Sequence, residues 1–328
     1  MRNLHAVSCR SATRLAEREP CYPALRTGAL HLTVLLLLGA STHAAEPARI
    51  QRITNDGYFK QRPSFSPDGR SVVFARHKGA TIFLFVRDLK TGKERRLTKR
   101  EFPEYDAVFS PNGKELVFAL DKASPNQGDI EVYRIGIEGK PLTAVAVTEG
   151  KLSHEESPCW SPGAKMIAFT STRHGNQELY VAQADGKNPR RLTSDPAIDA
   201  HPAWSPDGHT IAFATNRWGD LELALIDVDG SNLRRLTNSK GLDDYPAWSP
   251  DGKRLAFTSN RDRNLEIYLV DRDGRNALNL TQNPAIDNFP GWTHDGKIGF
   301  VSNRDDGFEI YVKSDPRVNA GRQVNGAN

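Results

Sequence analysis

One phrase recurs six times along the chain and constrains its fold more than any other feature. It reads Phe65-Ser66-Pro67-Asp68-Gly69, Phe109-Ser110-Pro111-Asn112-Gly113, Trp160-Ser161-Pro162-Gly163, Trp204-Ser205-Pro206-Asp207-Gly208, Trp248-Ser249-Pro250-Asp251-Gly252 and Trp292-Thr293-His294-Asp295-Gly296. Successive Ser/Thr positions lie 44, 51, 44, 44 and 44 residues apart. Self-similarity at a period of about 40 to 50 residues is the mark of propeller blades.

The copy from Asp243 to Thr281 shows the unit. A first strand, Pro246-Ala247-Trp248, enters the Ser249-Pro250-Asp251-Gly252 turn, where Pro presets φ, Asp bonds its own backbone and Gly accepts positive φ. Residues 254–258 and 265–270 are rich in β-formers and bounded by polar turns, and residues 277–281 form a fourth strand. Such a sheet has two apolar faces, so blades must stack face to face and the ring must close. The repeated Trp/Phe is read as an inter-blade packing residue.

The fourth strand recurs as Arg95-Arg96-Leu97-Thr98, Val147-Thr148, Arg191-Leu192-Thr193, Arg235-Leu236-Thr237 and Asn279-Leu280-Thr281, with one further copy, Arg52-Ile53-Thr54, ahead of the first blade. The last blade offers three strands and a degenerate tail. The expected fold is therefore all-β: a six-bladed propeller of four-stranded antiparallel blades over residues 50–315, its ring closed by the N-terminal strand. Arg322-Gln323-Val324 competes for that closing role.

Residues 28–40 form an apolar run containing Val34-Leu35-Leu36-Leu37-Leu38, preceded by five Arg and followed by Thr42-His43-Ala44. This reads as a secretory signal over residues 1–44 with a long basic leader, too short for a membrane span. A linker 45–49 and a C-terminal tail 316–328 flank the propeller. Beyond the leader only Cys159 remains, which excludes an intrachain disulfide there. Removing five Arg and two Glu from totals of 44 basic and 40 acidic residues leaves a formal net charge of +1. Near-neutrality gives no support to nucleic-acid binding by phosphate neutralisation.

The turn phrase, the Arg-Leu-Thr strand and the phrase Glu222-Leu223, Glu266-Ile267-Tyr268 and Glu309-Ile310-Tyr311 together resemble the propeller repeats of the TolB family. Similar repeats occur in the tricorn-protease core and in prolyl-oligopeptidase-like enzymes. The TolB resemblance implies a periplasmic six-bladed propeller that binds a peptidoglycan-associated lipoprotein within a cell-envelope complex of the Tol-Pal kind. It also implies an α/β domain ahead of the propeller, for which this sequence leaves only a few residues. The expectation is a propeller alone, with binding as its transferable property.

Loops joining strand four to the next strand one share a rim with those joining strands two and three, and function in such folds concentrates in loops. Five residues before each aromatic stand Lys60, Glu104, Glu155, Asp199, Asp243 and Asp287, with Arg173, Arg217, Arg261 and Arg304 on the same rim. The acids read either as a ring that docks a protein, peptide or cation, or as partners of those arginines, since unpaired carboxylates in a ring repel one another. Arg217 and Glu222, Arg261 and Glu266, and Arg304 and Glu309 share a five-residue offset that suits a cross-hairpin ion pair.

Three residues before the aromatic the blades diverge into Arg62, Asp106, Ser157, His201, Tyr245 and Phe289. If that position faces the channel mouth, the mixture has the composition of a recognition patch, with His201, Tyr245 and Phe289 as leading contacts. The expected partner-binding residues are these three with Glu155, Asp199, Asp243 and Asp287. A blade-two insertion that includes Ser124-Pro125-Asn126-Gln127-Gly128 reads either as a contact loop or as a tolerated surface insertion. His154 and His201 have no partner at metal-ligand spacing, and no nucleophile elbow, phosphate loop or paired-carboxylate motif appears. The reading is a monomeric, non-catalytic binding module without metal or cofactor. A propeller lyase or hydrolase acting on polysaccharide, or a glycan- or small-molecule-binding propeller, stands as the alternative.

Overall fold

The computed structural model describes residues 50–79, 81–99, 101–122, 129–137, 145–146 and 153–317. The signal segment 1–44, the linker 45–49, the insertion 124–128, all but the first two residues of the tail 316–328, and the competing closing segment 322–324 lie outside them. The described residues form six four-stranded antiparallel sheets. Blade 5 runs through Asp243–Trp248, Arg254–Ser259, Glu266–Asp271 and Leu278–Asn279, hydrogen-bonded in that order. First strands of the others are Lys60–Phe65, Glu104–Phe109, Glu155–Trp160, Asp199–Trp204 and Asp287–Trp292. Each first strand lies against those of the blades before and after it, the sixth against the first, so the six line one central channel. In the sixth sheet Gln51–Arg52 pairs with Glu309–Ser314, Gln51 opposite Val312 and Arg52 opposite Tyr311.

The recurrent Ser/Thr and Asp of the turn have a defined task. Ser205 Oγ donates to Asp207 Oδ1 at 2.6 Å and accepts the Thr210 N–H at 3.0 Å, while Asp207 also accepts the His209 N–H at 3.0 Å. Ser249 with Asp251, and Thr293 with Asp295, repeat the contact at 2.6 Å. Burial would push the Asp207 carboxyl up, but Ser205, the His209 amide and Arg272 outweigh it and hold the group well below its usual range.

Strand four is shorter than its sequence suggests. In blade 3 it is Arg190–Arg191, because Thr193 Oγ1 accepts the Leu179 N–H at 3.0 Å and thereby takes over from the backbone ladder. The same hydroxyl donates to Glu178 at 2.5 Å, and Arg191 meets Glu178 at 2.7 Å. Blade 4 repeats this with Arg235, Thr237 and Glu222, and in the sixth sheet Arg52 and Thr54 stand at Glu309 and the Ile310 N–H.

Apolar residues of strands two and three fill the spaces between blades. One such cluster joins Leu223 and Leu225 of blade 4 to Trp248, Leu255 and Phe257 of blade 5. Trp160, Trp248 and Trp292 add a directional link, their indole N–H groups donating to Val108, Ala203 and Ala247 carbonyls of the preceding blade at 3.0 to 3.3 Å. Where blade 6 meets blade 1, Phe65 sits so deep that a Cβ on Gly299 would lie 2.2 Å from its ring. The equivalent residue in blade 5 is Ala256. Gly299→Val is therefore expected to destabilise the fold by about 1–3 kcal/mol through overpacking, read as a lowered urea midpoint. An unchanged midpoint would contradict the seam packing described.

Candidate functional site

The first strands begin earlier than the sequence suggests, and each carries a bulge. In blade 5, Asp244 stands opposite Thr258 and Ala247 opposite Ala256, so three steps on one strand match two on its neighbour. The same shift occurs in the other five blades. A bulge leaves one residue outside the ladder and re-aims its side chain. At this position stand Arg62, Asp106, Ser157, His201, Tyr245 and Phe289, with positive φ values of 44°, 55°, 53°, 52°, 53° and 57°. None is glycine, and left-handed backbone costs such residues about 1–2 kcal/mol each. Side chains one residue earlier support the conformation, as Asp244 and Asn288 accept the Tyr245 and Phe289 N–H groups at 2.7 and 2.8 Å.

These six residues meet across the channel and form a floor with two chemically distinct halves. Arg62 binds Asp106 and the Ser157 hydroxyl, each at 2.7 Å, and its guanidinium lies 5.4 Å from the Tyr245 ring centroid. On the other half His201 stacks on Tyr245 with centroids 4.0 Å apart, and Phe289 meets Tyr245 edge-on at 4.7 Å. His201 Nδ1 lies 2.6 Å from Asp244. Burial first, then Asp244, pushes the Tyr245 hydroxyl far above its usual range. All six line a cavity of about 170 Å³ with Gln61, Tyr105 and Glu156. Arg62, Tyr245 and Phe289 also border a second cavity of about 280 Å³ among five of the six turn-phrase aromatics, all but Trp248, and Pro63, Pro158, Pro202, Pro246 and Pro290. Cys159 lines that second cavity, and burial pushes its thiol up to about 12, which keeps it protonated and unreactive at neutral pH.

The four acids expected as partner contacts open the first strands but are closed off from solvent. Glu155, Asp199, Asp243 and Asp287 are fully buried and pair with Arg173, Arg217, Arg261 and Arg304 at 3.2, 2.6, 2.7 and 2.7 Å. Burial still raises Asp199 and Asp287 above their ordinary value against the pull of their arginines. They hold the wall together and offer no surface to a partner. The five-residue pairing of Arg217 with Glu222 and its equivalents is corrected by the same geometry. Glu222 is already engaged by Arg235, Thr237 and the Ser239 N–H, and Glu309 by Lys60, so each arginine folds back onto strand one.

Around the recessed floor the rim is largely polar but carries exposed apolar residues. Of six exposed large hydrophobic residues among those described, Tyr58, Phe102, Ile198 and Ile286 lie on the loops of this rim and Trp218 ends a strand there, and Leu233 lies opposite. Trp218 projects from the blade 4 hairpin, flanked by Arg217 and Arg235 at 5.8 and 5.3 Å. His154 stands 3.5 Å from Glu156, away from His201. Among the described residues no cluster of His, Cys, Asp or Glu is arranged to hold a metal ion, and no helix is long and apolar enough to cross a membrane.

The sequence model of the TolB beta propeller domain matches residues 143–242 and 235–324, more than half of the chain. The chain belongs to the TolB β-propeller family. Its Tol-Pal system relative TolB of Francisella tularensis subsp. mediasiatica is 30% identical over 128 residues, 39% of this chain and 28% of that protein. The chain thus matches less than a third of the length of such curated relatives. A TolB structure from Agrobacterium tumefaciens superposes with a TM-score of 0.64 at 21% identity, over 81% of this chain and 97% of that one. An oligogalacturonate lyase from Vibrio parahaemolyticus superposes with a TM-score of 0.58 at 14% identity, over 84% and 96%. At these identities the structural likenesses establish the propeller fold alone.

Within this TolB-family propeller, the structure brings His201, Tyr245 and Phe289 together, while the four acids are buried against their arginines. Sequence reasoning missed Gln61, Tyr105, Asp244 and Glu156 as neighbours of the floor, because a bulge has no signature in residue identity here. The rim was missed too, although Ile198 and Ile286 each directly precede one of the buried acids, inside an otherwise polar loop.

Proposed function

We propose that this TolB-like propeller is a non-catalytic binding module that takes a protein or peptide segment of a cell-envelope partner at the rim-side mouth of its channel. The observation that carries the reading is the pairing of exposed apolar residues on one rim with a recessed, half-aromatic floor. Exposed apolar groups concentrated on one face mark interaction sites, and aromatic anchors in a desolvated centre supply most binding energy. The Tol-Pal name of the Francisella relative supports a partner of the peptidoglycan-associated lipoprotein class. A signal over residues 1–44 would deliver the chain to the periplasm, where it would work as a monomer.

The test is capture of a purified peptidoglycan-associated lipoprotein by the immobilised chain and by an Ile198→Asp/Trp218→Asp/Ile286→Asp variant. Capture by the first, with at least a tenfold loss in the second, is expected. Equal capture, or none by either, would overturn the reading. A polysaccharide-processing enzyme is the second reading, favoured by the 2.6 Å contact that orients His201 against Asp244 in a cavity. Turnover of an oligosaccharide panel that disappears in His201→Gln would support it instead.

A further inference from the structure

The charges around the cavity of about 170 Å³ do not balance. Arg62 is met by Asp106 and His201 by Asp244, at 2.7 and 2.6 Å. Glu156 is left with the Gln177 amide at 3.3 Å and the His154 imidazole at 3.5 Å. Burial first, then the neighbouring Asp106, pushes its carboxyl above the usual range. Next to it the buried Glu155 directs its contacts through Oε1 and leaves Oε2 without a hydrogen bond, whereas Asp199, Asp243 and Asp287 each engage arginine with both oxygens. The hydroxyls of Tyr105 and Tyr245 and the amide of Gln61 line the same cavity and make no hydrogen bond within the described residues. Glu156 keeps 29% of its side chain exposed and His154 keeps 42%, so the cavity is reachable beside them.

We infer that this cavity of about 170 Å³ receives one basic side chain of the bound segment, an ammonium or guanidinium that stands between the Glu156 carboxylate and the ring of Tyr105. The inference rests on the partner-binding reading above and specifies what enters the mouth. A carboxylate and an aromatic face together attract a cation, the first by a charge-assisted hydrogen bond and the second through the ring quadrupole. The Gln61 carbonyl and the two phenolic oxygens accept the remaining N–H donors. An anion would face the Glu156 charge, and an apolar group would leave these polar atoms unpaired in a closed space.

The probes are the blocked tripeptide acetyl-Gly-Arg-Gly-amide and its citrulline isostere, which keeps the shape and loses the charge, titrated against the full chain and Glu156→Gln. The arginine peptide should bind at least tenfold more tightly than the citrulline peptide. Glu156→Gln should reduce arginine-peptide affinity at least tenfold and remove the preference, while Glu115→Gln, a carboxylate remote from the cavity, leaves both affinities unchanged. Equal affinity for the two peptides, binding of neither, or a preference that survives Glu156→Gln would overturn the inference. If the rim variant loses the lipoprotein while Glu156→Gln keeps its full affinity, this inference fails and the binding-module reading stands.

Discussion

Replacing Lys60 by methionine should lower the unfolding free energy by about 3–5 kcal/mol, the cost of leaving a buried charge without its partner. Lys60 and Glu309 are both fully buried, with Nζ 2.8 Å from Oε2, and they join the first blade to the last. Methionine keeps the length of the side chain and removes only the ammonium group. Glu309 would retain Arg52 at 3.4 Å and the Gly57 N–H at 2.6 Å, too little to replace the lost cation in a desolvated site. Adding Glu309→Gln to Lys60→Met should recover part of the loss, since the double variant buries no unpaired charge. Urea denaturation of the three proteins measures both effects.

The pH dependence of that difference has a defined sign. Burial alone would raise the Glu309 carboxyl, but Lys60, Thr54 and the Gly57 amide outweigh it and hold the group below its ordinary value. A carboxyl whose folded value lies below its unfolded one, about 4.3, stabilises fully above that pH and loses the contribution as pH falls through the folded value. The stability gap between the native chain and Lys60→Met should therefore be widest near neutrality and narrow below about pH 4. A gap independent of pH would show that the pair contributes no charge-dependent stability.

The second large effect falls on binding. The variant His201→Gly/Tyr245→Gly/Phe289→Gly should weaken lipoprotein binding at least a hundredfold, and it should also lower the melting temperature, because Phe289 belongs to the buried cluster of Val72, Phe74 and Ile310 and its loss leaves a cavity. Glycine removes the floor's aromatic half but relieves left-handed strain of about 1–2 kcal/mol per residue. That relief covers only part of the loss, since deleting a buried Phe side chain costs about 3–5 kcal/mol. Alanine at the same positions would keep the strain, so glycine separates recognition from folding more cleanly. Calorimetric titration alongside a thermal melt reads both quantities, and undiminished affinity in the variant would remove these three residues from the contact surface.

What was legible in the sequence was whatever the repeat writes into residue identity. The turn phrase carries its own hydrogen-bond scheme, visible in Ser205 and Asp207, and the period fixes six units and four strands in each. Comparison between copies also singled out Arg62, Asp106, Ser157, His201, Tyr245 and Phe289 as the position that varies. Their backbone was not legible, because left-handed φ usually announces itself through Gly or Asn, and none stands there. The arginine pairing was misread for a related reason. Linear spacing places Arg217 near Glu222, but only the assembled sheet shows that Arg235 and Thr237 already occupy that carboxylate while Asp199 waits across strand one. Polar partners chosen among several equidistant candidates depend on three strands at once.

Hydrogen–deuterium exchange with and without the purified lipoprotein decides whether a partner seats on the floor and rim at one mouth of the channel. The account predicts added protection in the bulged halves of the first strands, around residues 200–203, 244–247 and 288–291, and in the rim loops carrying Ile198, Trp218 and Ile286. Protection confined to the opposite face, around Asp229 to Leu233 and Asp273 to Asn276, or no change anywhere, would contradict it.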